Sequence, residues 1–547
     1  MPRLLAASLF CLLACLTVCP SADADDRPNI VVILVDDMGF SDLGCYGSEI
    51  ETPNIDSLAQ GGLRFTQFHN AGRCCPTRAS LLTGLHPHQV GIGHMTAPPG
   101  QPLGFEGPYQ GYLNDNCATL AEVLRGAGYH TLMTGKWHVG VDPAQQEAWP
   151  LQRGFDKYYG CLSGAINYFK PGGGRGITSG NELVPTDDEW YATDAFTDKA
   201  MEFISEAAEA DDRPFFLYLA YNAPHWPLNA KESDYQKYRG KYEGGWGPMM
   251  AARQAKQREL GLFAGDVTPA EHLGPEWDSL KPQQRNRLDA VMAAYAGCLD
   301  SVDQNVGKLM EHLDQIGKRD NTLILFLSDN GACQEGGRLG NGGHKMVMNP
   351  PLRTTNGVQI GLAWANACNT PFRKYKHFVH EGGACTPLIA NWPAGIAEGE
   401  RGGFVRQVGY LPDFMATCVD LAAADYPQDV PPCEGESLAP LLRGNDAPIH
   451  TEPIFWEHEG NAAVRWGKWK LVCEYQKPWE LYNIDADRTE LNDLASAEPG
   501  KRDEMVAKWE AWARKTGVAF PERFNMYRFL QEKAAQEKQA RETQQAS

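Results

Sequence analysis

Apolar runs that end in polar residues are the feature that most limits how this chain can fold. Segments 29–35, 129–134, 214–221 and 322–327 are apolar and rich in β-forming residues, and helical patterns lie among them. That alternation is typical of an α/β fold with a mostly parallel sheet flanked by helices. Since ligands bind at the carboxyl edge of such a sheet, the polar residues behind these four runs are expected to converge on one cleft.

Carboxylates, amides, lysine and histidine follow these runs. In chain order the residues are Asp36, Asp37, Lys136, His138, His225, Asp329 and Asn330. Carboxylate and amide oxygens are hard ligands of the kind that Ca²⁺ takes, and Mg²⁺ is the close competitor. A structural alternative is that 36–37 is only a polar strand end and that 329–331 is only a tight turn, where Asp, Asn and Gly are common.

The run Cys74-Cys75-Pro76-Thr77-Arg78 indicates the start of a helix. Pro76 suits the first helical position, because the N–H that it lacks would be unpaired there. Residues 79–82 can propagate the helix until Thr83-Gly84 ends it. Cys74 is then expected just ahead of a helix N-terminus, where backbone N–H groups stabilise negative charge. The alternative is a pair of vicinal cysteines in a core or a disulfide.

Composition and charge exclude some partners. The chain of 547 residues is 43% hydrophobic and 10% aromatic, which is typical of a globular protein. Its formal net charge of −19 argues against nucleic acid, because phosphate binding needs a basic surface. Any anionic substrate must therefore be attracted by a local positive site rather than by the overall field.

The N-terminus predicts export. Arg3 precedes the apolar run 4–18, and Ala22-Asp23-Ala24 offers a cleavage site, so residues 1–24 are interpreted as a signal peptide. The expected location is periplasmic or secreted, with a lipoprotein box at 12–15 as the weaker alternative. The run is short for a bilayer span and no later segment reaches that length, so we do not expect an integral membrane protein.

These motifs together resemble the type I sulfatases of the alkaline-phosphatase superfamily. Residues 74–78 fit C-x-P-[ST]-R, the pattern that marks a cysteine for oxidation to formylglycine in that family. Segment 369–383 adds a P-x-R-x-x-K element that ends at Lys376, and segment 479–494 resembles the family's C-terminal signature. The resemblance runs from about residue 29 to 494 and implies an alkaline-phosphatase-like fold.

The character of the sequence changes after about residue 446, which indicates two structural parts. The catalytic α/β domain is expected over 25–445 and a smaller C-terminal α+β subdomain over 446–528. Short antiparallel strands near 453–475 and a helix near 502–515 are predicted within that subdomain. Residues 529–547 are interpreted as a polar tail, because they are rich in Gln, Lys, Glu and Ala without an apolar stripe.

The implied activity is hydrolysis of aryl or carbohydrate sulfate monoesters to an alcohol and inorganic sulfate. One hydroxyl of the hydrated formylglycine at position 74 would attack sulfur while the alcohol departs. The second hydroxyl would then lose its proton and expel sulfate. One divalent cation, Ca²⁺ or else Mg²⁺, would assist as a Lewis acid. The residues that hold it by resemblance are Asp36, Asp37, modified Cys74, Asp329 and Asn330.

The resemblance assigns the remaining roles. Arg78 would orient the formylglycine, and Lys136, His225 and Lys376 would contact the sulfate oxygens. His138 would act as the base for sulfate release, and His225 as the acid that protonates the leaving oxygen. Lys374 is the rival of Lys376, although the motif spacing selects Lys376.

Two further positions are weaker candidates. Residues 456–458, Trp-Glu-His, are interpreted as a substrate-recognition element that borders the cleft from the C-terminal subdomain, and His344 is interpreted as a surface residue.

The implied partners are a sulfated small molecule or glycan and a formylglycine-generating enzyme that acts before export. Two alternatives remain open at this point. One is a phosphonate monoester or phosphodiester hydrolase of the same superfamily, and the other is a non-catalytic exported protein that binds sulfated glycans.

Overall fold

Two β-sheets of unequal size organise the chain. The computed structural model describes residues 27–97, 100, 105–342 and 357–519, and single positions at 525, 528, 532 and 535. The larger sheet has eleven strands in the order β10-β2-β9-β8-β1-β7-β3-β4-β5-β6, and β11 also pairs with β2. Its strands are β1 (Asn29–Val35), β2 (Leu63–His69), β3 (His130–Lys136), β4 (Lys157–Cys161), β5 (Ile177–Ser179), β6 (Glu182–Val184), β7 (Phe215–Ala220), β8 (Thr322–Ser328), β9 (Cys385–Asn391), β10 (Gly403–Val405) and β11 (Gly409–Tyr410).

Five neighbouring strands, β8, β1, β7, β3 and β4, run parallel, whereas β9 is antiparallel to both β8 and β2. The mostly parallel α/β sheet that the sequence predicts is therefore confirmed. Alternate residues of β1 point to opposite sides, because side chains of a strand repeat with a period of two. Val31 and Ile33 join one core, and Val32 and Leu34 join the other, so this central strand is buried on both faces.

Helices cover both faces of the larger sheet and one face of the smaller one. They are α1 (Pro53–Gln60), α2 (Cys74–Thr83), α3 (Leu120–Gly126), α4 (Ala192–Ala210), α5 (Glu232–Tyr238), α6 (Trp246–Glu259), α7 (Pro282–Gln315), α8 (Gly361–Cys368), α9 (Glu381–Ala384), α10 (Asp413–Ala422), α11 (Ala439–Leu442) and α12 (Pro499–Thr516). Apolar residues of α4, α5 and α7 fill one core. Those of α2, α3, α10 and α11 fill the other. No described helix combines the length and the apolar character needed to cross a bilayer.

The smaller sheet is antiparallel and confirms the predicted C-terminal α+β arrangement. Its four strands are β12 (Ile454–His458), β13 (Asn461–Trp466), β14 (Trp469–Cys473) and β15 (Glu480–Asn483), in that order. Helix α12 packs against it through Met505, Trp509 and Trp512. The sequence did not indicate β15, which is only four residues long. The junction predicted near residue 445 lies between α11 and β12.

Two local predictions differ from the structure. Helix α2 begins at Cys74 rather than at Pro76, because Arg73 is extended and its carbonyl accepts the first helical bond, from Thr77 N–H at 3.0 Å. Pro76 is therefore the third helical residue, still inside the first turn, where no N–H is needed. The glycine content of segment 170–181 predicts a loop over the edge of the sheet, but the segment contains β5. Residues 1–24 and His344 lie outside the described residues.

The burial of two histidines predicts that acid lowers the stability of the folded protein. Burial lowers the pKa of His86 and of His94 from 6.5 to about 4 each. Between pH 4 and 6.5 the unfolded chain therefore binds more protons than the folded one, so the free energy of unfolding falls as the pH falls through this window. Each histidine should lower the free energy of unfolding by about 2 kcal/mol when the pH falls from 7 to 5. Urea unfolding at both pH values should show a smaller loss of unfolding free energy on acidification for the double variant His86→Gln/His94→Gln than for the wild type. An equal loss would contradict this assignment.

Candidate active site

Four strand ends meet at one edge of the larger sheet. In the register of the sheet, Val35 lies opposite Ser328, and Leu34 lies opposite Ala220. The sheet neighbours of β7 are β1 and β3, so the segments that leave β8, β1, β7 and β3 start side by side. The structure thereby brings together residues that are up to about 300 positions apart in the sequence.

Four oxygen-bearing side chains cluster at this edge. Asp36, Asp37, Asp329 and Asn330 are each at most 1% exposed. Asp36 Oδ1, Asp37 Oδ2 and Asn330 Oδ1 accept no hydrogen bond from any described residue. Buried acceptors without a donor are rare in folded proteins and call for a positive partner. Their all-oxygen character fits a hard divalent cation such as Ca²⁺ or Mg²⁺.

Three cations balance the three carboxylates. Lys136 Nζ lies 2.6 Å from Asp36 Oδ2, and Arg78 Nη2 lies 2.7 Å from Asp329 Oδ2. Lys376 Nζ lies 2.6 Å from Asp37 Oδ1. Burial acts to lower the pKa of Lys376, but the facing Asp37 carboxylate outweighs it and raises the pKa well above its usual value. Both lysines and the arginine thus carry positive charge at the base of the site.

Cys74 is the first residue of α2 and is 1% exposed. The neighbouring Cys75 thiol, and then the positive charges of Lys136 and Lys376, act against burial and hold the pKa of Cys74 well below its usual value. Negative charge at this position is therefore stabilised, as the sequence pattern predicts. Neither Cys74 nor Cys75 forms a disulfide with another described cysteine, which contradicts the disulfide alternative. Both are buried among the apolar residues of one core, as the other alternative predicts.

Two histidines flank Cys74. His138 adopts a left-handed backbone conformation with φ of 60°, and Gly164 leaves room for its ring, because a Cβ at position 164 would lie 2.3 Å from its Cε1 atom. His225 Nδ1 lies 2.6 Å from the carbonyl oxygen of Trp226, and its Nε2 lies 3.5 Å from Asp37 Oδ2. Burial lowers the pKa of His138 to about 3 and that of His225 to about 4.

A cleft of about 210 Å³ opens above these groups and is lined by Cys74, His138, His225 and Lys376. Sequence reasoning missed the other charged and aromatic residues of this lining, namely Arg73, Arg175, Trp226 and Glu335. Arg73 precedes Cys74 in the sequence, and Trp226 follows His225. Their positions next to the motifs could therefore have identified them as lining residues. Nothing in the sequence around Glu335 distinguishes it from an ordinary loop carboxylate.

The structure places the weaker candidates elsewhere. Lys374 Nζ contacts Glu474 Oε1 at 2.6 Å, so it faces the smaller sheet, and Lys376 is the lysine at the site. Trp456 and His458 are buried in β12 and do not line the cleft. Glu457 is also buried, where it pairs with His88 at 2.7 Å. The interpretation of 456–458 as a border of the cleft is therefore wrong.

Comparison with known proteins agrees with this geometry. Residues 28–424 match the family model described as Sulfatase, and residues 372–511 match the one described as N-sulphoglucosamine sulphohydrolase, C-terminal. An uncharacterized sulfatase of Schizosaccharomyces pombe is 33% identical over 544 residues, covering 90% of this chain and 94% of that protein. An arylsulfatase of Klebsiella aerogenes is 34% identical over 395 residues, covering 68% of this chain and 82% of that protein. The crystal structure of Ps i-CgsB in complex with k-i-k-neocarrahexaose is 28% identical with a TM-score of 0.69, covering 91% of this chain and 95% of that one.

The oxygen cluster predicts stabilisation by a divalent cation. A cation at 100 times its dissociation constant should raise the free energy of unfolding by about 2.7 kcal/mol, because it binds only the folded chain. Thermal unfolding in Ca²⁺, compared with a chelator, should show this increase in the wild type and in the control Asp314→Ala, an exposed carboxylate on α7. Asn330→Ala should abolish the increase. An undiminished increase in Asn330→Ala would refute the site.

Proposed function

This chain belongs to the sulfatase family and is a sulfuric ester hydrolase, and we propose that it cleaves sulfate monoesters with a nucleophile made from Cys74. The observation that carries this proposal is the position of Cys74. It lies on the first turn of α2, opens onto the cleft and is surrounded by Lys136, Lys376 and His138. The two lysines would also stabilise the sulfate oxygens during transfer.

Oxidation of Cys74 to formylglycine would supply a hydrated aldehyde, which can attack sulfur through one hydroxyl and later expel sulfate through the other. A thiolate would lack that exit, because a thiosulfate ester has no second oxygen to release it. We propose that a formylglycine-generating enzyme modifies the chain before export, since the C-x-P-T-R pattern would be inaccessible once buried. Export itself stays a prediction, which rests on the sequence of residues 1–24.

The proposed ligands of the divalent cation are Asp36, Asp37, Asp329 and Asn330, with the oxygen of the modified residue 74. Their three unpartnered oxygens support this assignment. Bound there, the cation would act as a Lewis acid toward the sulfate oxygens. Arg78 Nη2 holds Asp329 through Oδ2, and Arg78 Nη1 donates to the Lys136 carbonyl at 3.0 Å. Arg78 therefore positions a ligand and a substrate-binding lysine together.

The two histidines fit different steps. His138 is neutral, because burial lowers its pKa to about 3, so it can accept a proton next to position 74. We propose that it serves sulfate release. His225 directs Nδ1 to a backbone carbonyl, which leaves Nε2 as the nitrogen that faces the cleft. With the Nδ1 proton donated to that carbonyl, Nε2 carries a proton only in the imidazolium form, which burial disfavours and the charges of Asp37 and Glu335 favour. We propose that this form delivers the Nε2 proton to the leaving oxygen.

The proposed substrate is a sulfated glycan or a smaller sulfated alcohol or phenol. The bound neocarrahexaose of Ps i-CgsB supports a glycan, and the arylsulfatase of Klebsiella aerogenes supports aryl esters. A phosphonate monoester or phosphodiester hydrolase is not favoured, because the matching family model and these curated relatives are sulfatases. A non-catalytic glycan-binding protein is not favoured, because each position that the proposed chemistry needs carries a competent residue.

Kinetics of two histidine variants test this division of roles. His138→Ala should release about one equivalent of alcohol per active site and then stall, because the step that frees sulfate lacks its base. His225→Ala should slow the first cleavage by about 100-fold or more, without a burst. That defect should shrink for 4-nitrophenyl sulfate relative to an alkyl sulfate, because an acidic phenol needs little protonation to leave.

Rapid-mixing measurements of alcohol and sulfate release would follow both products. His312→Ala is a suitable control, because His312 bonds to Ser205 and does not line the cleft. The same burst and the same leaving-group dependence in both cleft variants would show that the roles are assigned wrongly. Wild-type protein without activity on any sulfate ester would contradict the proposed function itself.

A further inference from the structure

Glu335 is a carboxylate in a cleft that receives an anion. It lies in the segment that follows β8, six residues after Asp329, and it lines the same cleft as Cys74, His225 and Lys376. None of the roles proposed above uses it. A fixed negative charge opposes sulfate binding, so its presence there needs an explanation.

The contacts of Glu335 hold it rigidly. Arg73 Nη2 donates to Oε1 at 3.0 Å, and Trp226 Nε1 donates to Oε2 at 2.7 Å. Burial alone would raise the pKa of Glu335, but the charges of Arg73 and then Lys376 act against it, and the pKa falls to about 2. Glu335 is therefore ionised at any working pH, and it links the residue before Cys74 to the residue after His225.

The two ends of this ion pair differ in exposure. The Arg73 side chain is 5% exposed, whereas the Glu335 side chain is 29% exposed. An incoming substrate therefore meets the carboxylate, and the arginine behind it is already neutralised. Each carboxylate oxygen accepts one described hydrogen bond and keeps a further lone pair, so both can still accept from a hydroxyl group.

We infer that Glu335 is a specificity-determining residue that selects leaving groups without a second negative charge near the sulfate. Lys136 and Lys376 bind the sulfate, and Glu335 repels another carboxylate or sulfate on the alcohol part while it accepts hydrogen bonds from neutral hydroxyls. Trp226, held by Glu335, presents an aromatic surface in the same cleft. This inference rests on the proposed function, because it concerns the alcohol that the sulfatase reaction releases.

A matched substrate pair tests it. The 3-carboxy and 3-carbamoyl derivatives of 4-nitrophenyl sulfate have nearly the same shape but differ by one charge. In the wild type, kcat/KM should favour the carbamoyl ester by about tenfold, because like charges in the cleft repel. In Glu335→Gln the ratio should fall to about one or invert, because Arg73 is no longer neutralised. Most of the change should lie in KM for the carboxy ester.

Two variants serve as controls. Glu209→Gln removes an exposed carboxylate of α4 that does not line the cleft, so it should keep the wild-type ratio despite the same change in net charge. Glu335→Asp keeps the charge and should keep the preference. If Glu335→Gln does not fold, the wild-type ratio should still shrink as ionic strength rises, because salt screens the repulsion.

The outcomes separate the two proposals. A ratio that is the same in Glu335→Gln and the wild type overturns the inference. A wild-type preference for the carboxy ester also overturns the inference. If that preference is lost in Arg175→Gln, the selection is assigned to Arg175 instead. If the wild type hydrolyses neither ester, the proposed function fails rather than the role of Glu335.

Discussion

The functional edge of this protein depends on a balance of buried charge. Three carboxylates, Asp36, Asp37 and Asp329, each lie within 2.7 Å of a cation from another part of the chain. Removing one partner of a buried pair costs about 3–5 kcal/mol, because the other charge is left without compensation. Strands β1, β3 and β8, helix α2 and the segment around Lys376 are thereby tied to one another. The same charges create the site, since the carboxylates suit a cation and the lysines suit an anion.

The smaller sheet holds the segment that carries Lys376. Arg373 Nη1 contacts Glu480 Oε2 of β15 at 3.1 Å, and Lys374 contacts Glu474, which directly follows β14. Glu381 is fully buried and pairs with Lys470 at 2.7 Å and with Arg488. These contacts explain why the P-x-R-x-x-K element continues into charged residues that do not line the cleft. The C-terminal subdomain therefore positions Lys376, a lysine that lines the cleft, rather than contributing residues 456–458 to it.

The sequence predicted those structural features that depend on residues close together in the chain. Strand β1 has the predicted bounds, because a continuous apolar run followed by two aspartates has no competing pattern. Helix α2 ends at Thr83, and Gly84 adopts φ of 70°, a conformation that favours glycine. The helix start was wrong by two residues, because the extended conformation of Arg73 depends on its surroundings. Glu335 was missed for a similar reason, since its partners Arg73 and Trp226 are more than 100 residues away.

The measurement that bears most directly on the central claim is the mass of the peptide that contains position 74. If Cys74 becomes formylglycine, that peptide should be lighter than the cysteine form and should react with a hydrazide probe. Cys74→Ala should abolish the reactivity, whereas Cys75→Ala should keep it, because only Cys74 has Pro76 and Arg78 at the required offsets. An unmodified cysteine at position 74 in fully active protein would contradict the proposed mechanism.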